Sequence, residues 1–425
     1  MNTHTSIKRN YTFIKWQKLT IVSILIGFLA ALLAVSLKHI TEHYEQILFA
    51  KTQSNWIYLV IFPFFGLSVI YFLRQYLFKK KENKGIKEVF ESTSSSKNLP
   101  LYKIPSHFIN GLLTVIFGGS TGIEVSTVVA TATIGSVAHT KENFFKKYKT
   151  ELICAGVAAG ITALFSSPIA GLFFAYEVIS KKISRTFLAT NLIAISVAAA
   201  FLFILEEKPL FEANIITWHW QAIPYFILLG IIAGMNSVYL TKCVLFFKKQ
   251  FSNIQTHYYK IILGASILTI SLLILPQLYG DGYHAIKHSI LSANTDVLSL
   301  TLAITLLSII IMKPIVTSIT LSSGGDGGVF APSLFIGAFL GLFIAICLNT
   351  FFNAHVIPLN FMILGMAAML SASIHAPFTA LFLVCGVVND YTLFFPILLV
   401  CLVSKYTAQK IYPYTVYSYK ENLAK

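Results

Sequence analysis

The feature that most constrains this chain is a series of long, nearly uncharged apolar runs. They cover residues 19–37, 56–78, 187–205, 223–240, 261–275, 298–311, 330–348 and 393–403. Several reach the roughly 20 residues that carry a helix across a bilayer, and others are shorter or broken by Gly and Pro. In lipid every backbone N–H and C=O must be satisfied within the protein, so runs of this kind fold as helices. Composition agrees: 56% of the residues are hydrophobic and 12% are charged, against about a quarter charged in a soluble domain. The expected fold class is an all-α integral membrane protein. No stretch at either end reads as a separate soluble domain, so residues 1–425 form one transmembrane domain.

The net charge of +15 sits beside the apolar runs. Lys8 to Lys18 and Arg74 to Lys87 flank the first two, and a hairpin places both clusters on one side of the membrane. Lys141 to Lys149, Lys181 to Arg185 and Lys248-Lys249 are further basic loops. The positive-inside bias makes that side cytoplasmic and predicts a plasma-membrane protein with a cytoplasmic N-terminus. Solvated loop charge accounts for the basic balance, and no nucleic-acid motif accompanies it. The first run is too long for the core of a signal peptide and lacks a small-residue cleavage pattern. Cys154, Cys243, Cys347, Cys385 and Cys401 form no CxxC pair and no Cys/His metal spacing. They read as small buried hydrophobes, and no metal or cofactor is expected.

One stretch carries chemistry: Gly118-Gly119-Ser120-Thr121-Gly122-Ile123-Glu124-Val125-Ser126, followed by a small, uncharged apolar segment. A glycine-rich turn opening a buried helix is an anion seat, because its first N–H groups lack intrahelical partners and the helix dipole favours negative charge there. Glu124 is itself an anion at that position. It is either an acidic cap or a competitor for the seat. A second such turn, Ser323-Gly324-Gly325-Asp326-Gly327-Gly328-Val329-Phe330-Ala331-Pro332, opens another apolar helix.

The two turns belong to an internal repeat. Downstream of each lies a matching segment, Ala155 to Pro168 in the first half and Leu364 to Pro377 in the second, with the Gly, the Ala pair and the Pro in register. The similarity sets Gly122 against Gly327 at nearly equal distance from the two prolines. The repeats are expected over about 54–206 and about 222–410. Duplicated halves in transporters commonly have inverted topology, with the site where their broken helices meet.

These residues resemble the CLC chloride channels and transporters. Gly328-Val329-Phe330-Ala331-Pro332 is similar to the family's GxFxP motif, and Gly118 to Ser126 resembles its GGSxGxEGP element, with Glu124 at the gating-glutamate position. Asn83-Lys84-Gly85-Ile86-Lys87-Glu88 stands where the family has GSGIP, and Val416-Tyr417-Ser418 resembles the segment with the anion-binding tyrosine. The resemblance implies a homodimer whose subunits each carry an anion path, built from two inverted repeats with broken helices. It implies coordination of chloride or a similar anion by main-chain N–H groups, here at Ile123, Glu124, Val125, Val329 and Phe330, together with the Tyr417 hydroxyl. The cytoplasmic regulatory domains of many eukaryotic members are not recognisable, which suggests a prokaryotic type.

The departures from the family pattern are informative. Around Glu124 the family's arginine is Ile123, its glycine is Val125 and its proline is Ser126. Lys84 replaces the central serine, and either neighbours the bound anion or snorkels into the cytoplasmic vestibule. Glu177 is kept, in a structural role, but Val178 replaces the acid that resembles the internal proton acceptor. That change puts proton coupling in doubt and leans the reading towards a passive channel, with a chloride/proton antiporter, or one for fluoride or nitrate, as the alternative.

Other classes fit less well. An enzyme would need a motif such as HExxH, GxSxG or a phosphate loop, and none is present. His375 reads as a packed histidine and Asp326 as a turn residue. A cation-coupled solute transporter would use intramembrane acids, and Glu124 is the one clear intramembrane acid near the two turns. A transport-inactive paralogue is the third alternative, given how far the first two motifs have drifted.

Overall fold

A computed structural model describes residues 3–79, 83–295 and 298–418, with side chains from Phe13 onward. Of the tyrosines Tyr412, Tyr414, Tyr417 and Tyr419 near the C-terminus, Tyr419 lies outside the described residues, as do Lys80 and Lys81 of the basic run and the side chains of Lys8 and Arg9. Sixteen α-helices follow one another among the described residues. They are α1 (Thr3–Ser54), α2 (Ile57–Phe72), α3 (Ile86–Ser94), α4 (Lys103–Ile116), α5 (Glu124–Thr140), α6 (Lys149–Phe165), α7 (Pro168–Phe174), α8 (Arg185–Ile204), α9 (Ile223–Ser252), α10 (His257–Ile274), α11 (Tyr283–Ser292), α12 (Leu300–Ser322), α13 (Phe330–Phe352), α14 (Pro358–Ile374), α15 (Pro377–Val388) and α16 (Phe394–Ile411).

Nine helical segments among the described residues are long and apolar enough to cross a membrane. Eight overlap the apolar runs of the sequence. The ninth, Asn143–Phe165, has a mean hydropathy of only 1.2 over its best window, yet 83% of that window is buried in protein. Its small residues, Ala155, Gly156, Ala158, Ala159 and Gly160, lower its hydropathy and let neighbouring helices approach closely.

The central helices pack through such residues. In α5, α6, α13 and α14, Gly135, Gly156, Gly337, Gly341 and Gly365 each lie where a Cβ would strike the backbone of the facing helix. The hydroxyls of α5 bond back along their own helix: Thr127 to the Ile123 carbonyl at 3.1 Å, Thr131 to Thr127 at 2.9 Å, Thr133 to Val129 at 2.7 Å. These threonines of a largely buried helix are thereby satisfied within it, while the Ser136 hydroxyl accepts the Leu99 N–H at 2.9 Å.

The repeat is visible in the chain breaks. Helix α6 ends on Ser166 in the left-handed region (φ 53°), Ser167 is extended (φ −127°), and Pro168 opens α7. Helix α14 ends on His375 (φ 56°), Ala376 is extended (φ −128°), and Pro377 opens α15. Proline at the first helical position has no N–H to leave unpaired. Helices α7 and α15 then meet: the Ser167 hydroxyl donates to the Phe382 carbonyl at 2.8 Å, and Phe173 stacks on Phe378 and Phe382.

Candidate functional site

The two glycine-rich turns meet in the middle of the molecule. Gly122 and Gly328 pair as an antiparallel bridge, N–H to carbonyl in both directions at 3.5 and 3.3 Å. The sequence similarity had set Gly122 against Gly327; the contact is one residue further on. Around the bridge the bonds are reciprocal. The Ser120 N–H donates to Thr320 Oγ1 at 3.2 Å, and the Asp326 N–H donates to Thr114 Oγ1 at 2.9 Å. Gly119 closes back on the Thr114 carbonyl at 2.8 Å, as Gly325 does on Thr320 at 2.9 Å. Contacts that run both ways between equivalent positions are the mark of a local twofold relation.

Helices α5 and α13 start immediately after the bridge. Their first backbone bonds are Thr127 N–H to the Ile123 carbonyl and Ser333 N–H to the Val329 carbonyl, at 2.8 and 2.9 Å. The N–H groups before those have no intrahelical acceptor, and the N-cap residues Ile123 and Val329 have no side-chain group that caps them. Two uncapped, fully buried helix N-termini therefore face one small region. Ile123, Val125, Val329 and Phe330 lie there, none more than 5% exposed.

The Glu124 side chain occupies that region at 1% exposure. Its Oε1 accepts a hydrogen bond from the Tyr283 hydroxyl at 2.6 Å. Its Oε2 packs over Gly122 towards the start of α13 and has no hydrogen-bond partner among the described residues. A Cβ at position 122 would strike both this oxygen and the Ala331 Cβ, the latter at 2.6 Å, so Gly122 is what lets the carboxylate reach α13.

Val125 and Tyr417 complete the inner wall. The Val125 methyls reach Gly85 on one side and Gly328 on the other. Half-buried Tyr417 accepts the Val329 N–H on its hydroxyl at 3.4 Å, whereas Tyr412 and Tyr414 pack edge to face at 5.6 Å. Lys84 adjoins this wall only through its backbone. Its side chain is exposed, its N–H donates to the Glu88 carboxylate, and it lines a groove of about 220 Å³ with Glu88, Glu91, Lys97 and Lys103. Glu177 caps α15: it accepts the Thr379 N–H and hydroxyl, both at 2.7 Å. Val178 is buried in the apolar core.

Two acidic clusters near the turns correct the reading of Glu124 as the one intramembrane acid here. Asp326 is 5% exposed and is more than a turn residue. Asn83 donates to it at 2.6 Å, His107 Nδ1 lies 3.2 Å away and Arg74 3.9 Å away. On another side, Asp281 accepts the Tyr283 N–H at 2.8 Å, and the fully buried Lys313 donates to the Gly280 carbonyl at 3.1 Å. Glu45 packs over Gly280. Lys313 lies inside an otherwise uncharged helix, and a buried lysine there is costly and has a reason. Asp326 hid among turn glycines. Nothing local distinguishes Tyr283 from the other tyrosines.

Fold and site together define a multi-pass helical membrane protein whose two broken halves present facing helix N-termini, the architecture of an anion transport protein. Residues 65–409 match the family described as voltage gated chloride channel, and the chain belongs to this CLC family. It is 28% identical over 412 residues to the H(+)/Cl(-) exchange transporter ClcA of Cronobacter sakazakii, covering 91% of this chain and 85% of that one. The ClcA of Vibrio parahaemolyticus is 24% identical, with 94% and 87% covered. Among solved structures, a CLC-type fluoride/proton antiporter superposes with a TM-score of 0.78 at 26% identity, over 94% of this chain and 97% of that one. A slow cyanobacterial Cl-/H+ antiporter superposes with a TM-score of 0.80 at 22% identity, over 94% and 96%. These relatives are exchangers or antiporters by name, so the lean towards a passive channel drawn from Val178 is not supported.

Proposed function

We propose that the protein exchanges chloride for protons across the plasma membrane, as a homodimer with a cytoplasmic N-terminus and one anion path per chain. The carrying observation is the Glu124 carboxylate, buried between two uncapped helix N-termini. A carboxylate in such a seat competes with a soluble anion while it is ionised, and gives up that advantage once a proton neutralises it. One residue then links anion movement to proton movement.

In this reading the N–H groups of Ile123, Glu124, Val125, Val329 and Phe330 and the Tyr417 hydroxyl hold the anion in turn. Glu177 keeps α15 in place. Exposed Lys84 acts at the vestibule, where a cation raises the local anion concentration without coordinating it. Apolar Val178 cannot carry a proton, so the inward proton route bypasses that position.

The test is chloride flux with simultaneous pH recording in proteoliposomes. A chloride gradient is expected to drive protons uphill in the opposite direction; chloride flux with no proton movement would establish a channel instead. The likeness to the fluoride/proton antiporter makes fluoride the second substrate to run, and proton pumping by a fluoride gradient alone would reassign the anion. In the same assay Glu124→Gln should lose the pH dependence of anion flux, and an unchanged profile would remove Glu124 from the gate.

A further inference from the structure

We propose that Tyr283 is the latch of the Glu124 gate: its hydroxyl holds the carboxylate in the anion seat and sets the pH at which the gate leaves. This rests on the reading of Glu124 as the gate and adds a positioning residue to it. The phenol donates to Glu124 Oε1 at 2.6 Å, and that is the one hydrogen bond of normal geometry that either side chain makes among the described residues. Both groups are buried, at 8% and 1% exposure.

The protein aims this hydroxyl with care. The segment before α11 turns through Gly280 and Gly282, both at positive φ (59° and 86°), which side chains rarely adopt. Lys313 of α12 ties the Gly280 and Leu278 carbonyls, at 3.1 and 3.4 Å. The Tyr279 hydroxyl donates to the Ile116 carbonyl at the end of α4, at 2.6 Å. Asp281 holds the Tyr283 N–H, and Phe211 stands edge-on to the ring at 5.5 Å. A fully buried lysine and aspartate thus serve to fix six residues of backbone, and what that backbone presents to the site is Tyr283.

The titratable groups facing Glu124 come from several elements. Tyr283 of α11 touches it. Asp281 from the preceding turn, Lys313 of α12 and Tyr417 from the C-terminal segment act on it by charge without a bond, and Glu42 and Glu45 of α1 and Lys287 of α11 act in turn on Asp281. Of these, Tyr283 alone makes a short bond to the carboxylate. A donor of this kind favours the ionised carboxylate over the protonated acid, and it restrains the side chain from rotating. Without it the gate takes up its proton at higher pH.

The experiment is the pH profile of chloride flux in proteoliposomes for the wild type, Tyr283→Phe, Glu124→Gln and the double variant. Tyr283→Phe should move the midpoint up by about one pH unit, a tenfold change in proton affinity, and the double variant should match Glu124→Gln. Replacing Tyr283 by 3-fluorotyrosine, a stronger donor of nearly the same shape, should move the midpoint down; this arm remains decisive if Tyr283→Phe fails to fold. A midpoint unmoved by either substitution, with pH dependence still abolished in Glu124→Gln, would overturn the latch and leave the gate standing. A wild-type profile in Glu124→Gln would overturn both.

Discussion

Val125 stands where the family carries glycine, and its two methyls fill the space between Gly85 and Gly328 beneath the Tyr417 hydroxyl. In the proposed anion path a side chain there narrows the passage between Glu124 and Tyr417. Val125→Gly is therefore expected to speed chloride efflux from proteoliposomes by about tenfold, roughly 1.4 kcal/mol off the barrier. It should also lower stability, by about 1.5–3 kcal/mol for the lost burial and about 1 kcal/mol for glycine in a helix. Flux unchanged beside a lowered unfolding temperature would mean that the valine only packs. Glu124 was legible from sequence because a carboxylate in apolar surroundings needs a reason. Asp326 and Lys313 had the same kind of signal, but Asp326 was masked by turn glycines and Lys313 stands just beyond the end of the 298–311 run, where a lysine reads as an interfacial charge. Tyr283 had no signal: its role depends on a hydroxyl meeting a carboxylate 159 residues away.

Helices α5 and α6, and α13 and α14, touch backbone to backbone, and that contact holds the two helix starts in place. A Cβ on Gly365 would fall within van der Waals distance of the Gly337 carbonyl. Overpacking of this kind typically costs 1–3 kcal/mol, so Gly365→Val should lower the unfolding midpoint of detergent-purified protein measurably. An exposed substitution such as Phe395→Leu (Phe395 is 69% exposed) should leave it where it is. Equal midpoints for the two variants would show that α13 and α14 can separate freely. The glycines and the paired Ala segments were readable as a repeat, down to the proline at each break; the left-handed residue before it, Ser166 or His375, was not. Helix α6 was not readable as a membrane span, because its alanines and glycines keep its hydropathy low, whereas α13, just as buried, is rich in Leu, Ile and Phe.

The whole molecule is expected to be a dimer. Light scattering in detergent should give a protein mass near twice the 47.2 kDa of one chain, and the mass of a single chain would reject that assembly. At this scale the membrane class, the helical fold and the family membership follow from the sequence by itself. Long apolar runs leave the backbone no alternative to helices, and motifs such as Gly328 to Pro332 are local, so their meaning survives without coordinates. The tertiary structure decided what depends on distance between remote segments. It pairs Gly122 with Gly328, crosses the threonines of one half onto the turn of the other, places Tyr417 on the start of α13, moves the Lys84 side chain out to the surface, and puts Tyr283 on Glu124. A hydrogen bond acts over about 3 Å, whereas its partners here are separated by scores of residues in the chain. Only folding brings such groups within reach, and so the proposed gate comes from the glycine-rich stretch before α5 while its proposed latch comes from the turn before α11.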